Sequence, residues 1–356
     1  MDFGQVLVLA AGAAVILVVL FDLVASMLVP RPVPGRFLLS ALVRRLAWTR
    51  WKKLYLSMQP PERREIILGF FAPLSVVGSL FTWLAGLVLG YGLIFWSLRG
   101  QLHPQPANLF VASYYAGTSV LTIGYGDIVA TGDAARLVSL AAGATGLATV
   151  AVVLAFLFSV LNSYREREVF EITLDARAGS PPSGLVLLET HAQLSIADDL
   201  PRFFQDAQRW CADVLETHLA YPVLCYFRST HIGMSWIAAL GAVLDAATLV
   251  MSTIESIPRG QATIAHSVGE HLVYDVAHYF DLLGAESTLV EEREFLAARE
   301  RLAAVGYRLR PPAEAWQTFS RLRAQYASSL NNLARHWAIE PAQWIGDRSP
   351  LGARKD

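Results

Sequence analysis

The amino-acid sequence predicts an all-α membrane protein, with three transmembrane helices followed by a mainly helical C-terminal domain. Hydrophobic residues make up 54% of its 356 residues and charged residues only 17%, whereas soluble domains carry roughly 25% charged residues. Three stretches are apolar over lengths that exceed the roughly 20 residues needed to cross a bilayer. This composition excludes a disordered chain and an ordinary soluble enzyme.

The first apolar stretch, Val6–Val29, contains one charged residue, and the stretches 66–98 and 137–164 contain none. The first one lies where a signal peptide would lie. However, no Lys or Arg precedes it, and it is longer than the usual apolar run of about 7–15 residues. We therefore expect residues 1–29 to form an extra N-terminal transmembrane helix. In the second stretch, Pro73 is expected to separate an interfacial start from the span itself.

The loop formed by residues 30–65 sets the expected orientation. It contains nine Lys and Arg residues against two Glu residues, and loops rich in Lys and Arg stay on the cytoplasmic side. The N-terminus and residues 99–136 are then outside, and everything after residue 164 is cytoplasmic. The expected location is the cell (plasma or inner) membrane, with several passes.

Charge and aromatic residues in the same loop point to lipids as a partner. Residues 1–162 hold 11 Lys and Arg against 6 Asp and Glu, whereas residues 163–356 hold 18 against 24. The basic loop interleaves its charges with Trp48, Trp51 and Tyr55. Two interpretations follow: a helix lying on anionic inner-leaflet lipids, or a solvated linker.

The segment between the second and third spans, residues 109–127, reads LFVASYYAGTSVLTIGYGD. It begins as a short apolar helix and ends in a Gly-rich sequence. Gly124 and Gly126 permit backbone conformations that other residues resist, so successive carbonyl groups can point to one side, and Thr122 adds a hydroxyl oxygen. Four such strands around an axis would form stacked oxygen cages that replace the hydration shell of a cation. The alternative is a Gly-rich turn between two helices.

On these residues, the segment 66–164 resembles the pore domain of potassium channels. The resemblance implies an outer helix at 66–98, a re-entrant pore helix and selectivity filter at 108–128, and an inner helix at 134–164. It implies passive K+ transport with no organic cofactor. Because each chain carries one filter sequence, it also implies a homotetramer.

The resemblance assigns roles residue by residue. The implied K+ ligands are Thr122, Ile123, Gly124 and Tyr125. The implied supports of the filter are Gly126, Asp127, Tyr114 and Tyr115. Tyr114 is expected to hydrogen-bond Asp127 behind the filter. Two departures, Leu121 for a threonine and Thr118 for a glutamate, mean that inactivation behaviour does not carry over.

Two features of the spans concern movement and packing. Gly146 lies 20 residues after Gly126, where similar channels carry a gating hinge, although small residues there would equally allow close helix packing. Asp22 is expected either to pair with a neighbouring helix or to reach the loop arginines. No span carries arginine at every third position, which argues against a voltage sensor.

After a linker at 165–184, we expect a helical cytoplasmic regulatory domain at 185–345 and a tail at 346–356. The predicted helices are about 203–220, 236–254, 264–283, 288–305, and a long one beginning at Pro311-Pro312 and ending at Pro341. The apolar segment 236–254 is interpreted as the buried helix of a bundle, with a fourth span as the alternative.

His271, Asp275 and His278 share one helical face, so they are candidates for a sensor. Three interpretations remain: a metal site, a pH-sensing group, or a half-buried polar stripe. The ligand of the C-terminal domain is left unknown. No nucleotide-binding motif or nucleophile–base pair stands out, so we expect neither an enzyme nor a nucleic-acid partner.

Two functional hypotheses follow. The first is a tetrameric potassium-selective channel gated or modulated by its C-terminal domain. The second is a membrane-tethered signalling or scaffold protein with a vestigial or non-selective cation pore. Deleting residues 180–356 discriminates between them, because a channel should survive with altered gating and a tethered module should lose its function.

Overall fold

A computed structural model of the chain describes residues 2–27, 29, 38–55, 61–231, 233–287 and 289–339, without the side chains of residues 61 and 62. The predicted tail, the expected helix end at Pro341 and the first part of the basic loop lie outside these residues. The chain forms two compact units. Unit 1 comprises residues 1–51 and 70–161, and unit 2 comprises residues 52–69 and 162–356.

The described residues are mostly helical. The elements in the first half of the chain are α1 (Phe3–Met27), α2 (Leu39–Tyr55), α3 (Pro61–Gly69), α4 (Phe71–Ser97), β1 (Leu102–His103), α5 (Leu109–Val120), β2 (Val129–Ala130) and α6 (Asp133–Ala178). The C-terminal helices are α7 (Gly184–Gln193), α8 (Leu200–Ala220), α9 (Trp236–Ser252), α10 (Gly260–Tyr279), α11 (Glu292–Ala304), α12 (Pro312–Ala324) and α13 (Ala327–His336). In the described part of the chain, three helices are long and apolar enough to cross a membrane: Phe3–Met27, Arg63–Ser97 and Asp133–Ala178.

Helices α1 and α4 pack closely because glycines lie where they cross. A Cβ atom on Gly12 would lie 2.6 Å from the carbonyl oxygen of Gly90, and one on Gly86 would lie 2.6 Å from Val19. Small residues of this kind let helix backbones approach in a bilayer. The extra N-terminal helix is therefore a packed part of unit 1.

Asp22 links three segments of unit 1. Its carboxylate accepts hydrogen bonds from Trp83 Nε1 on α4 (2.7 Å) and from the backbone N–H of Ser40 in the first turn of α2 (3.2 Å). The acid thus caps a helix N-terminus, where negative charge is favourable. Pairing with a neighbouring helix, one of the two expected roles, is observed, whereas the loop residues Arg31 and Arg36 lie outside the described residues.

The apolar stretch 66–98 is divided near its start. Helix α3 ends at Gly69, Phe70 is a turn, and α4 begins at Phe71. Pro73 lies in the first turn of α4, where its missing N–H breaks no helical bond. A turn at Phe70 thus divides the helix near Pro73, although Arg63–Ser97 taken together is long and apolar enough to cross a membrane, so an interfacial start stays a prediction.

Helix α6 extends further than the predicted inner helix. Residues 165–178, predicted as linker, continue the same helix to Ala178. Arg167 and Glu171 form an ion pair four residues apart (3.2 Å), a spacing that supports helix. The helix ends only where Gly179, with φ +77°, and Pro181 follow.

In unit 2, α9 is the buried centre of a helical bundle. Its 17 residues are fewer than a span requires, and nearly all are buried. Asp245 accepts hydrogen bonds from Arg323 Nε (2.9 Å) and from the Tyr326 hydroxyl (2.6 Å), so its buried charge is paired. The interpretation of 236–254 as a bundle helix is confirmed for the described residues 236–252.

The predicted long helix after Pro311-Pro312 was wrong, because it is divided into α12 and α13 at Gln325 and Tyr326. The Tyr326 side chain is buried, and its hydroxyl bonds Asp245 on α9. Apolar residues recur every three or four positions on both sides of this break. The sequence therefore suggests one continuous helix.

Candidate functional site

The Gly-rich loop, defined as residues 121–127, begins directly after α5. Asn108 is the N-cap of helix α5, and its side chain accepts a hydrogen bond from the backbone N–H of Val111 (3.0 Å). At the other end, the backbone N–H groups of Ile123 and Gly124 donate to the Thr118 carbonyl (2.8 and 3.2 Å). The end of the helix therefore holds the start of the loop in place.

The backbone of this loop alternates in conformation. Thr122, Gly124 and Gly126 have φ values of +56°, +61° and +79°. Alternation of left-handed and ordinary conformations turns successive peptide groups towards one side, whereas a regular strand alternates them. Among the described residues, no backbone N–H group donates to the carbonyls of residues 122–125. The carbonyl oxygens of residues 122–125 thus have no backbone donor within the described part of the chain.

Side chains of the loop are exposed in a single chain. Ile123 is 48% exposed and Tyr125 is 68% exposed. An open groove of about 440 Å³ lies beside the loop, lined by Thr122, Ser139 and Leu140 among others. One chain alone therefore neither encloses nor covers the loop.

Two tyrosines of α5 support the loop in different ways. The Tyr114 hydroxyl lies near the Asp127 carboxylate, which raises the pKa of the tyrosine; the hydrogen bond that the resemblance implies between them stays a prediction. Tyr115 is buried, packs edge-on against Phe95 (4.8 Å between centroids) and shares a hydrogen bond with Ser139 of α6 (2.8 Å). Tyr115 therefore ties α5 to the helices around it, and Tyr114 lies towards the far end of the loop.

Gly146 lies against the end of α5. A Cβ atom there would lie 1.9 Å from the carbonyl oxygen of Val120, a separation that no side chain tolerates. At Gly143 the nearest atom, the carbonyl oxygen of Ser119, is 3.5 Å away. The structure gives Gly146 a packing role, and α6 runs through it without a break. The gating hinge stays a prediction.

The three candidate sensor residues do not converge on one point. His271 Nε2 lies 3.0 Å from Asp275 Oδ2, whereas the His278 ring stacks on Tyr274 (6.0 Å). In the part of the chain that the structure describes, no three His, Cys, Asp or Glu side chains are arranged to hold a metal ion. The arrangement of these described side chains gives the metal-site interpretation no support, and the sensor role of the three residues stays a prediction.

The aromatic residues of the basic loop also differ from expectation. Trp48 is buried and its ring packs on Phe71 (4.9 Å), and Trp51 contacts the same ring (6.2 Å). The exposed face of α2 instead carries Leu42, Val43, Leu46, Arg50 and Lys53. The tryptophans anchor the helix to unit 1 and leave the aliphatic and basic side chains outside.

Comparison with known families decides the nature of this unit. Residues 80–163 match the family described as "Ion channel". The match contains most of α4, all of α5, the Gly-rich loop and the apolar part of α6. This part of the chain forms an ion channel domain. The resemblance over the pore segment is confirmed.

Beyond the ion channel domain, the comparisons are less specific. The chain is 25% identical over 188 residues to "Uncharacterized membrane protein YdjJ" of Bacillus subtilis (strain 168). The match spans 52% of this chain and 54% of the relative, so the chain spans about half the length of that protein. No solved structure matches this chain.

Sequence reasoning missed three residues of the site. Thr118, whose carbonyl receives two N–H groups of the loop, was noted only as a departure from the potassium channel pattern. Ser139 and Thr145 of α6 bond Tyr115 and Tyr91 respectively (2.8 and 3.0 Å). Serine and threonine inside an apolar span are a usable clue, since they commonly hydrogen-bond across helices.

Proposed function

We propose that the protein is a potassium-selective channel that conducts K+ passively through a pore formed by four copies of the chain. The observation that carries the proposal is the alternating backbone at Thr122, Gly124 and Gly126, inside the ion channel domain. Carbonyl oxygens held in rows, together with the Thr122 hydroxyl, can replace the hydration shell of K+. K+ is the transported substrate, and no organic cofactor takes part.

The four-chain pore is supported by the exposure of the Gly-rich loop in a single chain. Each chain supplies one Gly-rich loop, and Ile123 and Tyr125 are exposed beside an open groove. In the tetramer, α5 is a re-entrant pore helix and the loop is the selectivity filter. Tyr114 and Asp127 brace each filter strand from behind.

The proposal includes an orientation in the cell membrane. The basic loop is cytoplasmic and the N-terminus is outside. The exposed face of α2, with Leu42, Leu46, Arg50 and Lys53, lies on the anionic lipids of the inner leaflet. Apolar side chains enter the interface while the basic side chains meet lipid headgroups.

The C-terminal helical unit is proposed to modulate opening from the cytoplasm. Helix α6 runs from Asp133 to Ala178 without interruption, so its apolar part continues directly into its C-terminal part. A change in the C-terminal helices that displaces the end of this helix would bias the pore. This gives the unit a mechanical path to the gate without a hinge.

The test is ion flux in liposomes that contain the purified full-length protein. K+, Rb+ and Na+ gradients are applied separately to the wild type, Gly124→Ala and Gly100→Ala. Gly124 has φ +61°, which a side chain makes unfavourable by roughly 1–2 kcal/mol. Gly100 has an ordinary φ and open space around its Cβ position, so it is the matched control.

We expect the wild type and Gly100→Ala to pass K+ and Rb+ and to exclude Na+. Gly124→Ala should lose at least tenfold in discrimination between K+ and Na+. Equal passage of all three ions through the wild type would contradict potassium selectivity. Unchanged selectivity in Gly124→Ala would contradict the assignment of the filter.

A further inference from the structure

The conformation of the Gly-rich loop has to be held at both of its ends. Thr122, Gly124 and Gly126 have positive φ values, and such conformations persist only where the surrounding structure fixes them. The inner end is fixed by hydrogen bonds to the Thr118 carbonyl. At the outer end, no described atom lies near the Cβ position of Gly126. The outer end therefore depends on the residues that follow the loop.

The residues that follow the loop are held by Gln101. Its carbonyl oxygen accepts hydrogen bonds from the backbone N–H groups of Thr131 (2.9 Å) and Gly132 (3.3 Å), and from the Thr131 hydroxyl (3.1 Å). Directly after Gln101, strand β1 pairs antiparallel with β2. Apart from this strand pair, the two bonds to Gln101 are the next backbone hydrogen bonds that the described chain makes after Gly124. Gln101 is thus the first fixed point beyond the loop and its short strand.

The side chain of Gln101 holds the start of α6 as well. Its Oε1 accepts a hydrogen bond from the backbone N–H of Ala135 (3.2 Å), the third residue of the helix. The first N–H groups of a helix have no acceptor within the helix, so Gln101 supplies the oxygen that a capping side chain normally supplies. Gly132 makes room for it, because a Cβ atom there would overlap the glutamine side chain.

Gln101 is itself attached to the helices that precede it. Its backbone N–H donates to the carbonyl of Leu98 (2.8 Å), immediately after α4 ends at Ser97. The Ser97 hydroxyl in turn donates to the carbonyl of Gln5 on α1 (2.8 Å). The backbone and the side chain of one residue therefore connect the end of α4, the chain that leaves the Gly-rich loop and the first turn of α6.

We propose that Gln101 is a positioning residue for ion selectivity, because it fixes the outer end of the Gly-rich loop against α4 and α6. The inference rests on the proposed potassium pore, in which the carbonyl oxygens of this loop coordinate K+. Selectivity depends on how those oxygens are arranged. Loss of the Gln101 side-chain acceptor frees the first turn of α6 from residues 131 and 132, and the loosened outer end then discriminates less between K+ and Na+.

Three variants of the full-length protein test this role. Gln101→Met keeps the length of the side chain and removes its oxygen acceptor. Gln101→Glu keeps an oxygen acceptor, and its negative charge is favourable at the N-terminus of a helix. Gln105→Met makes the same change as Gln101→Met at an exposed glutamine of the same segment, so it is the matched control.

The reversal potential of each protein is measured in a planar bilayer with K+ on one side and Na+ on the other. We expect Gln101→Met to lower the K+/Na+ permeability ratio at least tenfold. Gln105→Met should stay within twofold of the wild type, and Gln101→Glu should recover most of the ratio. Equal ratios in Gln101→Met and Gln105→Met would overturn the inference. An equal loss in Gln101→Met and Gln101→Glu would also overturn it, because the acceptor would then not be the cause.

Amide exchange separates this inference from the proposed function. Exchange in residues 126–132 should be at least tenfold faster in Gln101→Met than in Gln105→Met, whether or not the protein conducts ions. Equal exchange rates would overturn the positioning role. A wild type that does not discriminate between K+ and Na+ would overturn potassium selectivity, and the exchange rates would then still decide whether Gln101 holds this segment.

A second pair of variants covers the case in which Gln101→Met does not fold. Gly132→Ala retains the glutamine and displaces its side chain, because the added Cβ would overlap it. Gly100→Ala adds the same methyl group beside Gln101, where no described atom lies near the Cβ position. We expect only Gly132→Ala to lower the K+/Na+ permeability ratio, by at least threefold, and to speed amide exchange in residues 126–132. Equal behaviour of the two variants would overturn the inference.

Discussion

At the scale of single residues, Gly146 and Gly143 differ in what a side chain would meet. Both lie on the apolar part of α6, one turn apart. A Cβ at Gly146 would meet the Val120 carbonyl oxygen at 1.9 Å, whereas a Cβ at Gly143 would meet only ordinary contacts. The two glycines therefore form a matched pair for testing packing against hinge motion.

We predict that Gly146→Ala lowers the melting temperature of the purified protein by more than 5 °C, while Gly143→Ala changes it by less than 2 °C. The reason is steric, because α6 must move away from the end of α5 to admit the methyl group. Thermal unfolding followed by tryptophan fluorescence measures both variants. A stable Gly146→Ala protein with altered channel opening would favour the hinge interpretation instead.

Asp22 allows a second prediction at this scale. Replacing it with Ala leaves two buried donors, Trp83 Nε1 and Ser40 N, without their acceptor. Each buried donor left unpaired costs about 1–3 kcal/mol, so α1 and α2 should loosen from α4. Asp133→Asn is the control, since its side chain is almost fully exposed. Amide exchange in residues 38–48 should rise at least tenfold in Asp22→Ala and stay unchanged in the control.

At the scale of elements, Arg228 joins three segments of unit 2. Its guanidinium pairs with Glu65 of α3 (3.0 Å) and donates to the carbonyls of Trp337 (2.6 Å) and Ala338 (3.1 Å) just after α13. Its own carbonyl accepts from the Tyr164 hydroxyl of α6 (3.0 Å). The segment leading into α4 and the segment leaving the apolar part of α6 thus meet at one arginine.

We predict that Arg228→Ala destabilises unit 2 by about 2 kcal/mol, since it leaves a partly buried carboxylate and two carbonyls without their donor. The free energy of unfolding of Arg228→Lys should lie between those of the wild type and Arg228→Ala, because an ammonium keeps the charge and loses the bidentate geometry. Arg209→Ala removes only an exposed pair with Asp206 and should change little. Denaturant unfolding measures the three variants, and equal midpoints for Arg228→Ala and Arg209→Ala would contradict the prediction.

At the scale of the whole molecule, buried groups of unit 2 set its dependence on pH. Burial lowers the pKa of His191 and His218, and it lowers the pKa of His266 to about 4. Burial raises the pKa of Glu171 to about 8, against a partly compensating effect of Arg167. The two kinds of group act on stability in opposite directions.

For the histidines, the unfolded state binds more protons below pH 6.5, so stability is complete above that pH and falls as the pH drops towards about 4. For Glu171, the folded state binds more protons between pH 4.5 and 8, so stability falls as the pH rises through that window. Burial also raises the pKa of Asp245, which acts in the same direction as Glu171. Since the three histidines outnumber these two carboxyl groups, we predict that unit 2 is most stable near pH 6.5.

Melting temperatures between pH 4.5 and 8.5 test this prediction. His266→Gln should flatten the acid side of the profile, since burial lowers the pKa of His266 from 6.5 to about 4 and the variant has no proton to gain in that range. Glu171→Gln should flatten the alkaline side. His271→Gln, whose side chain is exposed, should leave both sides unchanged. A profile without a maximum would contradict the balance between the two kinds of group.

The sequence by itself determined the features that depend on local composition. Apolar runs long enough for a bilayer predicted the three long helices, and the sequence around Thr122 to Asp127 predicted the ion channel domain. Pro73 predicted the division between α3 and α4. These features follow from residues near one another in the chain, so spacing and residue type suffice.

Tertiary structure decided the features that depend on distant atoms. Only packing shows that Gly146 faces the Val120 carbonyl, that Asp22 bonds Trp83 and Ser40, and that Tyr326 interrupts a predicted helix to reach Asp245. The left-handed conformation of Thr122 is likewise unforeseen, because a β-branched residue resists it unless the surroundings impose it. Sequence periodicity reports which face of a helix is apolar, whereas only the folded chain shows what covers that face.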